Sequence, residues 1–185
     1  YVGTFYNNQP HGNGCMIYNP GHGHSSRYIG NFVNNKRNGY GNMLFNYGYQ
    51  EGINEYSGEW DNDQMNGSGK YIDENDNIYY GQWCNNCFNG IGLYKYGSNG
   101  FDYEYIYKGQ WINDKKSGLG IIINIDEKYL FIGNWINNEK HGKGLWKKIN
   151  IDDFDDFYID VDNYINNQYK TINQLNDHLN NFNNS

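Results

Sequence analysis

The chain has 185 residues, among them 24 Gly, 20 Tyr, 34 Asn, nine Phe and five Trp, with no Ala. Scarce helix formers and plentiful Tyr and Ile disfavour a helical bundle and favour strands joined by turns, and the aromatic content argues against disorder. The net charge of −7 is uneven: residues 1–150 carry 13 Lys+Arg against 14 Asp+Glu, residues 151–185 one Lys against seven Asp, so the near-neutral body lacks the basic face that nucleic-acid binding needs.

In chain order, an aromatic-x-Gly-x-aromatic pattern opens at Tyr1-x-Gly3-x-Phe5. It returns as Tyr28-x-Gly30-x-Phe32, Tyr56-x-Gly58-x-Trp60, Tyr79-x-Gly81-x-Trp83, Tyr107-x-Gly109-x-Trp111 and Phe131-x-Gly133-x-Trp135. Seven residues after each second aromatic comes the first Gly of a Gly-x-Gly: Gly12/Gly14, Gly39/Gly41, Gly67/Gly69, Gly90/Gly92, Gly118/Gly120 and Gly142/Gly144. The period of two puts both rings and the Gly on one face of a strand. Glycine there leaves room for aromatic edges from the neighbouring strand, and Gly-x-Gly does the same on the return strand.

Between the two halves lie six-residue connectors: YNNQPH, VNNKRN, DNDQMN, CNNCFN, INDKKS and INNEKH. The second residue is always Asn and the third Asn or Asp, types that tolerate left-handed backbone and bond their own turn. Each repeat is therefore expected to be one β-hairpin. A lone hairpin is marginal in water, but hairpins in series bury each other's faces.

These residues resemble the MORN repeat family (membrane occupation and recognition nexus), across residues 1 to about 148 and in six copies starting at 1, 28, 56, 79, 107 and 131. The resemblance implies an all-β, elongated single-layer antiparallel sheet of six hairpins, an open solenoid. One departure is consistent: the family often has Gly in the connector where this chain has Asn8, Asn35, Asp63, Asn86, Asp114 and Asn138. Asn is the next best residue at positive φ, so the turn should survive.

The stretches 19–27, 46–55 and 96–105 read as long Gly-bearing loops between hairpins, where function specific to one protein tends to sit. Residues 149–163 read as an acidic linker. In 164–185, Ile165, Ile172 and Leu179 lie seven apart, with Leu175 and Phe182 three after the last two. That pattern suggests a short amphipathic helix that caps the last hairpin, dimerises, or stays disordered.

Catalytic chemistry is not expected. The Gly-x-Gly copies belong to the repeat and lack the further residues of a nucleotide loop. Cys84 and Cys87 have ligand spacing without a second pair, whereas zinc needs about four ligands. His22 and His24 read as a solvated loop, and DDFDD (152–156) lacks the Gly and Glu of a calcium loop. No cofactor and no metal are expected. Three Cys, no membrane-length apolar run and no visible leader point to a reducing, cytoplasmic setting. The start at Tyr1 inside a motif reads as a fragment. Asn-, Lys-, Tyr- and Ile-heavy usage fits an AT-rich protist genome.

Two binding functions follow from the resemblance. The first is a protein-binding scaffold at a cytoskeletal, axonemal or membrane-skeleton structure, holding a helical or extended partner segment. Its groove would be lined by Tyr28, Phe32, Tyr56, Trp60, Tyr79, Trp83, Tyr107, Trp111, Phe131 and Trp135, with homodimerisation as a further partner mode. The second is binding of anionic phospholipid through Lys115, Lys116, Lys140, Lys143, Lys147 and Lys148 in the last two repeats. A regulatory module of a larger enzyme is the remaining alternative.

Overall fold

Asn-Asn and Asn-Asp pairs form the tips of all six hairpins, because both residues take positive φ. In Asn62–Asp63 the angles are 48° and 72°, and in Asn137–Asn138 they are 50° and 74°. Two consecutive left-handed residues make the turn whose twist matches that of paired strands. The turn therefore needs only two residues. The rest of each six-residue connector belongs to the strands.

The structure, a computed structural model, describes residues 1–19, 25–47, 54–98 and 102–149. The strands are β1 (Val2–Tyr6), β2 (Gln9–Tyr18), β3 (Ser25–Val33), β4 (Lys36–Tyr47), β5 (Asn54–Asp61), β6 (Gln64–Ile72), β7 (Ile78–Cys84), β8 (Cys87–Ser98), β9 (Asp102–Ile112), β10 (Lys115–Asn124), β11 (Tyr129–Ile136) and β12 (Glu139–Lys148). They form one open sheet in which every strand neighbours the next in sequence. The chain divides into two units, Tyr1–Trp146 and Lys147–Ser185. The expected acidic linker, from residue 150, and the expected C-terminal helix, with Ile165, Ile172, Leu175, Leu179 and Phe182, lie outside the described residues.

The long loops are shorter than the sequence suggests. Strand β3 already begins at Ser25, β4 runs to Tyr47, β8 to Ser98, and β9 starts at Asp102. The ladder continues because its side chains still pair there; Tyr96 and Tyr105, for example, meet edge to face at 6.4 Å. His22 and His24 fall outside the described residues.

Glycine runs across the sheet as a row, one per strand. Gly3 faces Gly14, which faces Gly30, and so on through Gly41, Gly58, Gly69, Gly81, Gly92, Gly109 and Gly120 to Gly133. Within a hairpin the register slips beyond this row. Gly58 pairs Gly69 but Trp60 pairs Met65, so the return strand carries two extra residues. The first Gly of each Gly-x-Gly, such as Gly67 at φ +68°, absorbs this bulge. On the reverse face Ile121 lies opposite Ile132, and Ile123 opposite Leu130 and Ile106, all buried.

Candidate functional site

The period of two brings the ten expected groove rings onto one face, and they are all buried there, none more than 6 % exposed. They form a continuous edge-to-face chain from hairpin to hairpin. Tyr28 meets Trp60 at 5.5 Å, Trp60 meets Tyr56 at 5.1 Å, Tyr56 meets Trp83 at 5.0 Å, and the alternation runs on to Tyr107, Trp135 and Phe131. Such pairs are worth about 0.5–1.5 kcal/mol each beyond the area they bury.

Each ring's polar atom is also committed. The hydroxyls of Tyr28, Tyr56, Tyr79 and Tyr107 donate to the carbonyls of Asn31, Glu59, Gln82 and Gln110, three residues on, at 2.8–3.1 Å. To reach so far, each Tyr lies flat over the glycine pair of its own hairpin. A Cβ on Gly30 would stand 2.5 Å from the Tyr28 ring and 2.6 Å from Gly41 Cα. The motif glycine thus makes room for its own strand's Tyr, where the sequence suggested edges from the neighbouring strand, while the second Gly of each Gly-x-Gly does receive the ring of the neighbouring strand. The Trp60, Trp83, Trp111 and Trp135 indoles donate to the carbonyls of Gly41, Gly69, Gly92 and Gly120 in the hairpin before, at 3.2–3.3 Å. Burial pushes the Tyr28 hydroxyl up to about 12, and raises those of Tyr56 and Tyr79 as well.

The rings are therefore the closed floor of this face. What a partner would touch is the layer above them, of which the sequence singled out only Lys116 and Lys140. The fifth connector residue, in order Pro10, Arg37, Met65, Phe88, Lys116 and Lys140, follows the turn on the aromatic face. From the first hairpin to the fifth it pairs the second aromatic, as in Trp83↔Phe88. Phe88 stacks on Tyr79 at 3.8 Å. The signal was present, since the turn places this position as firmly as the motif rings.

Over the middle hairpins the layer leaves an open cavity of about 430 Å³. It is lined by Phe45, Met65, Tyr71, Trp83 and Phe88, with Asn54, Asn86 and Asp114 at its polar positions. That volume lies in the range of ligand pockets.

Toward the last hairpins the floor is topped by cations. Lys116 is 9 % exposed, with its ammonium 5.0–5.2 Å from the ring centroids of Tyr96, Tyr107 and Trp135. Burial, and then Lys140, lower its pKa to about 8. The Lys140 ammonium stands 4.1 Å from the Trp146 centroid and 6.0 Å from that of Trp135. The six lysines expected to bind lipid are thus not one patch. Lys116 and Lys140 sit on the aromatic face. Exposed Lys115, beside Ile112, and exposed Lys143, between two glycines, alternate onto the other face. Lys147 and Lys148 end β12, both exposed. Cys84 and Cys87 face each other across the Asn85–Asn86 turn as free thiols.

A second missed set holds the bulges. The residue between Gly and the second aromatic is Thr4, Asn31, Glu59, Gln82, Gln110 or Asn134, always able to hydrogen-bond. Glu59 accepts from the Ser68 amide and Gln82 from the Ile91 amide, both at 2.9 Å.

A family model of the MORN repeat matches residues 1–23, 28–46, 56–78, 107–123 and 131–148. The fourth hairpin, outside these stretches, repeats the same turn, glycine pairing and ring contacts. Among curated proteins no sequence matches.

Proposed function

This chain belongs to the MORN repeat family, whose repeats mediate association with proteins or membranes, and we propose that it is a non-catalytic scaffold whose aromatic face holds a helical or extended segment of a partner protein. The observation that carries this reading is the open, apolar cavity over an already closed aromatic floor. The floor is satisfied internally, so the cavity's apolar walls are free to recruit an apolar side chain. By resemblance the scaffold belongs to a cytoplasmic cytoskeletal, axonemal or membrane-skeleton structure. A lipid surface is less well served, because Lys116 and Lys143 do not share a face and Lys116 is caged by rings.

The test is recovery of partners from a native extract on the immobilised full chain, repeated with Met65→Glu in the cavity and with Lys143→Glu on the other face. A defined protein retained by the wild type and by Lys143→Glu, and lost with a still-folded Met65→Glu, is the expected result. Retention indifferent to Met65→Glu would overturn the assignment of the face.

A further inference from the structure

Lys116, buried, and Lys140, exposed above the same rings, are adjacent in space and, among the described residues, without an ion pair; the ion pair present is Arg37–Asp63. Each ammonium lies against the Trp135 ring, at 5.2 Å and 6.0 Å. Ring quadrupoles compensate part of the charge, but two like charges on one low-dielectric floor still repel. An anion between them relieves both penalties. The apolar cavity lies about two hairpins away along the same row of fifth connector residues, Met65 and Phe88 preceding Lys116 and Lys140. Its edge carries the opposite charge, the carboxylate of Asp114, which accepts the Phe88 amide at 2.7 Å.

From this we infer that the partner segment carries a large apolar side chain for the Met65/Phe88 cavity and, displaced toward the last hairpins, an Asp or Glu that docks between Lys116 and Lys140. Successive hairpins are two strand spacings apart, about 10 Å. The acid therefore lies about 20 Å from the apolar anchor. On a helix that is about 13 residues, and on an extended segment about 6. The inference deepens the binding role proposed above and rests on it.

The test is selection of random displayed peptides, long enough to span cavity and lysines, on the full chain. Enriched sequences should pair a large apolar residue with Asp or Glu at one of these spacings. Their synthetic copies should bind about tenfold more tightly than Asn or Gln versions. That ratio should fall toward one with Lys140→Gln and with Lys116→Met, both checked for a cooperative unfolding transition.

Peptides that lose binding to Met65→Glu yet show no preference for an acid would overturn the charge inference and leave the groove standing. Peptides indifferent to Met65→Glu, or none enriched, would remove the groove reading itself. Phosphatidylserine vesicles bound through Lys140, with no acid preference among peptides, would assign the cation pair to lipid and overturn the inference.

Discussion

The carboxylate of Asp63 reaches back to the preceding hairpin and accepts two hydrogen bonds from Arg37, one from its amide at 2.9 Å and one from its Nε at 3.0 Å. Arg37 Nη2 donates to the Asp63 carbonyl, and the Asp63 amide donates to the Arg37 carbonyl, both at 3.0 Å. The guanidinium so held lies 4.3 Å over Trp60. This clasp recurs along the array. Asn86, Asp114 and Asn138 each accept an amide of the hairpin before, from Met65, Phe88 and Lys116, and each returns its own amide to that residue's carbonyl. Asn and Asp in the turn therefore do more than tolerate positive φ. They couple neighbours through a bond that glycine, without a side chain, cannot make.

One clasp is incomplete, which makes the coupling measurable. Asn35 donates its amide to the Pro10 carbonyl, but proline has no N–H for its side chain to accept. Replacement by glycine should keep both turns and raise chain entropy equally. Asn86→Gly should then cost about 1 kcal/mol more than Asn35→Gly, the value of one lost hydrogen bond. Urea unfolding of both variants gives the comparison, and equal losses would deny the clasp any net worth.

The glycine row and the bulge glycines should respond to alanine for different reasons. A Cβ on Gly69 would lie 2.5 Å from the Tyr56 ring and hydroxyl, packed where nothing gives way. Gly69→Ala should cost about 3 kcal/mol or more. At Gly142 nothing lies within 4 Å, but φ is +69°. Gly142→Ala should cost only the left-handed strain, about 1 kcal/mol. Thermal or urea melts rank the two, and the reverse order would refute the packing account.

The sixth hairpin has Phe131 where the others have Tyr. Its ring covers Gly133 and Gly144 as the tyrosines cover their own pairs. Phe131→Tyr should let the new hydroxyl reach the Asn134 carbonyl and stabilise the array by about 1 kcal/mol. A lower melting temperature would show that the last hairpin holds its ring differently.

Alkaline stability should bend twice. Lys116 is lowered from 10.5 to about 8 by burial and then by Lys140, and Lys140 is lowered by burial. Between pH 8 and 10.5 the unfolded chain holds protons that the folded chain has released, so stability rises with pH there. Tyr28 and Tyr96 are raised from 10.0 to about 12 by burial, and Tyr56, Tyr79 and Tyr94 are raised too. Above pH 10 the folded state holds the extra protons, and stability falls. Denaturation midpoints followed by Trp fluorescence from pH 7 to 11.5 should show a shallow rise and then a steep loss. Lys116→Met should flatten the rise alone. A monotonic fall from pH 8 would contradict the burial of Lys116.

By itself the sequence determined the hairpins, their number, the turn residues and the face each ring occupies. These follow from local rules: a period of two, an Asn pair at positive φ and a constant offset from motif to Gly-x-Gly. Tertiary structure decided which atoms remain available on that face. Whether Trp83 lines a groove or closes a floor depends on how far Tyr56 stands in the preceding hairpin, and no strand-level pattern encodes that distance. The same holds for Lys116. Its charge reads as an exposed basic residue in the chain, but the register that places it against Trp111 turns it into a caged cation. The cavity that Met65 and Phe88 share with Phe45 and Tyr71, and the clasp of Asp63 on Arg37, emerge only once neighbouring hairpins lie side by side, because they join residues that different hairpins supply.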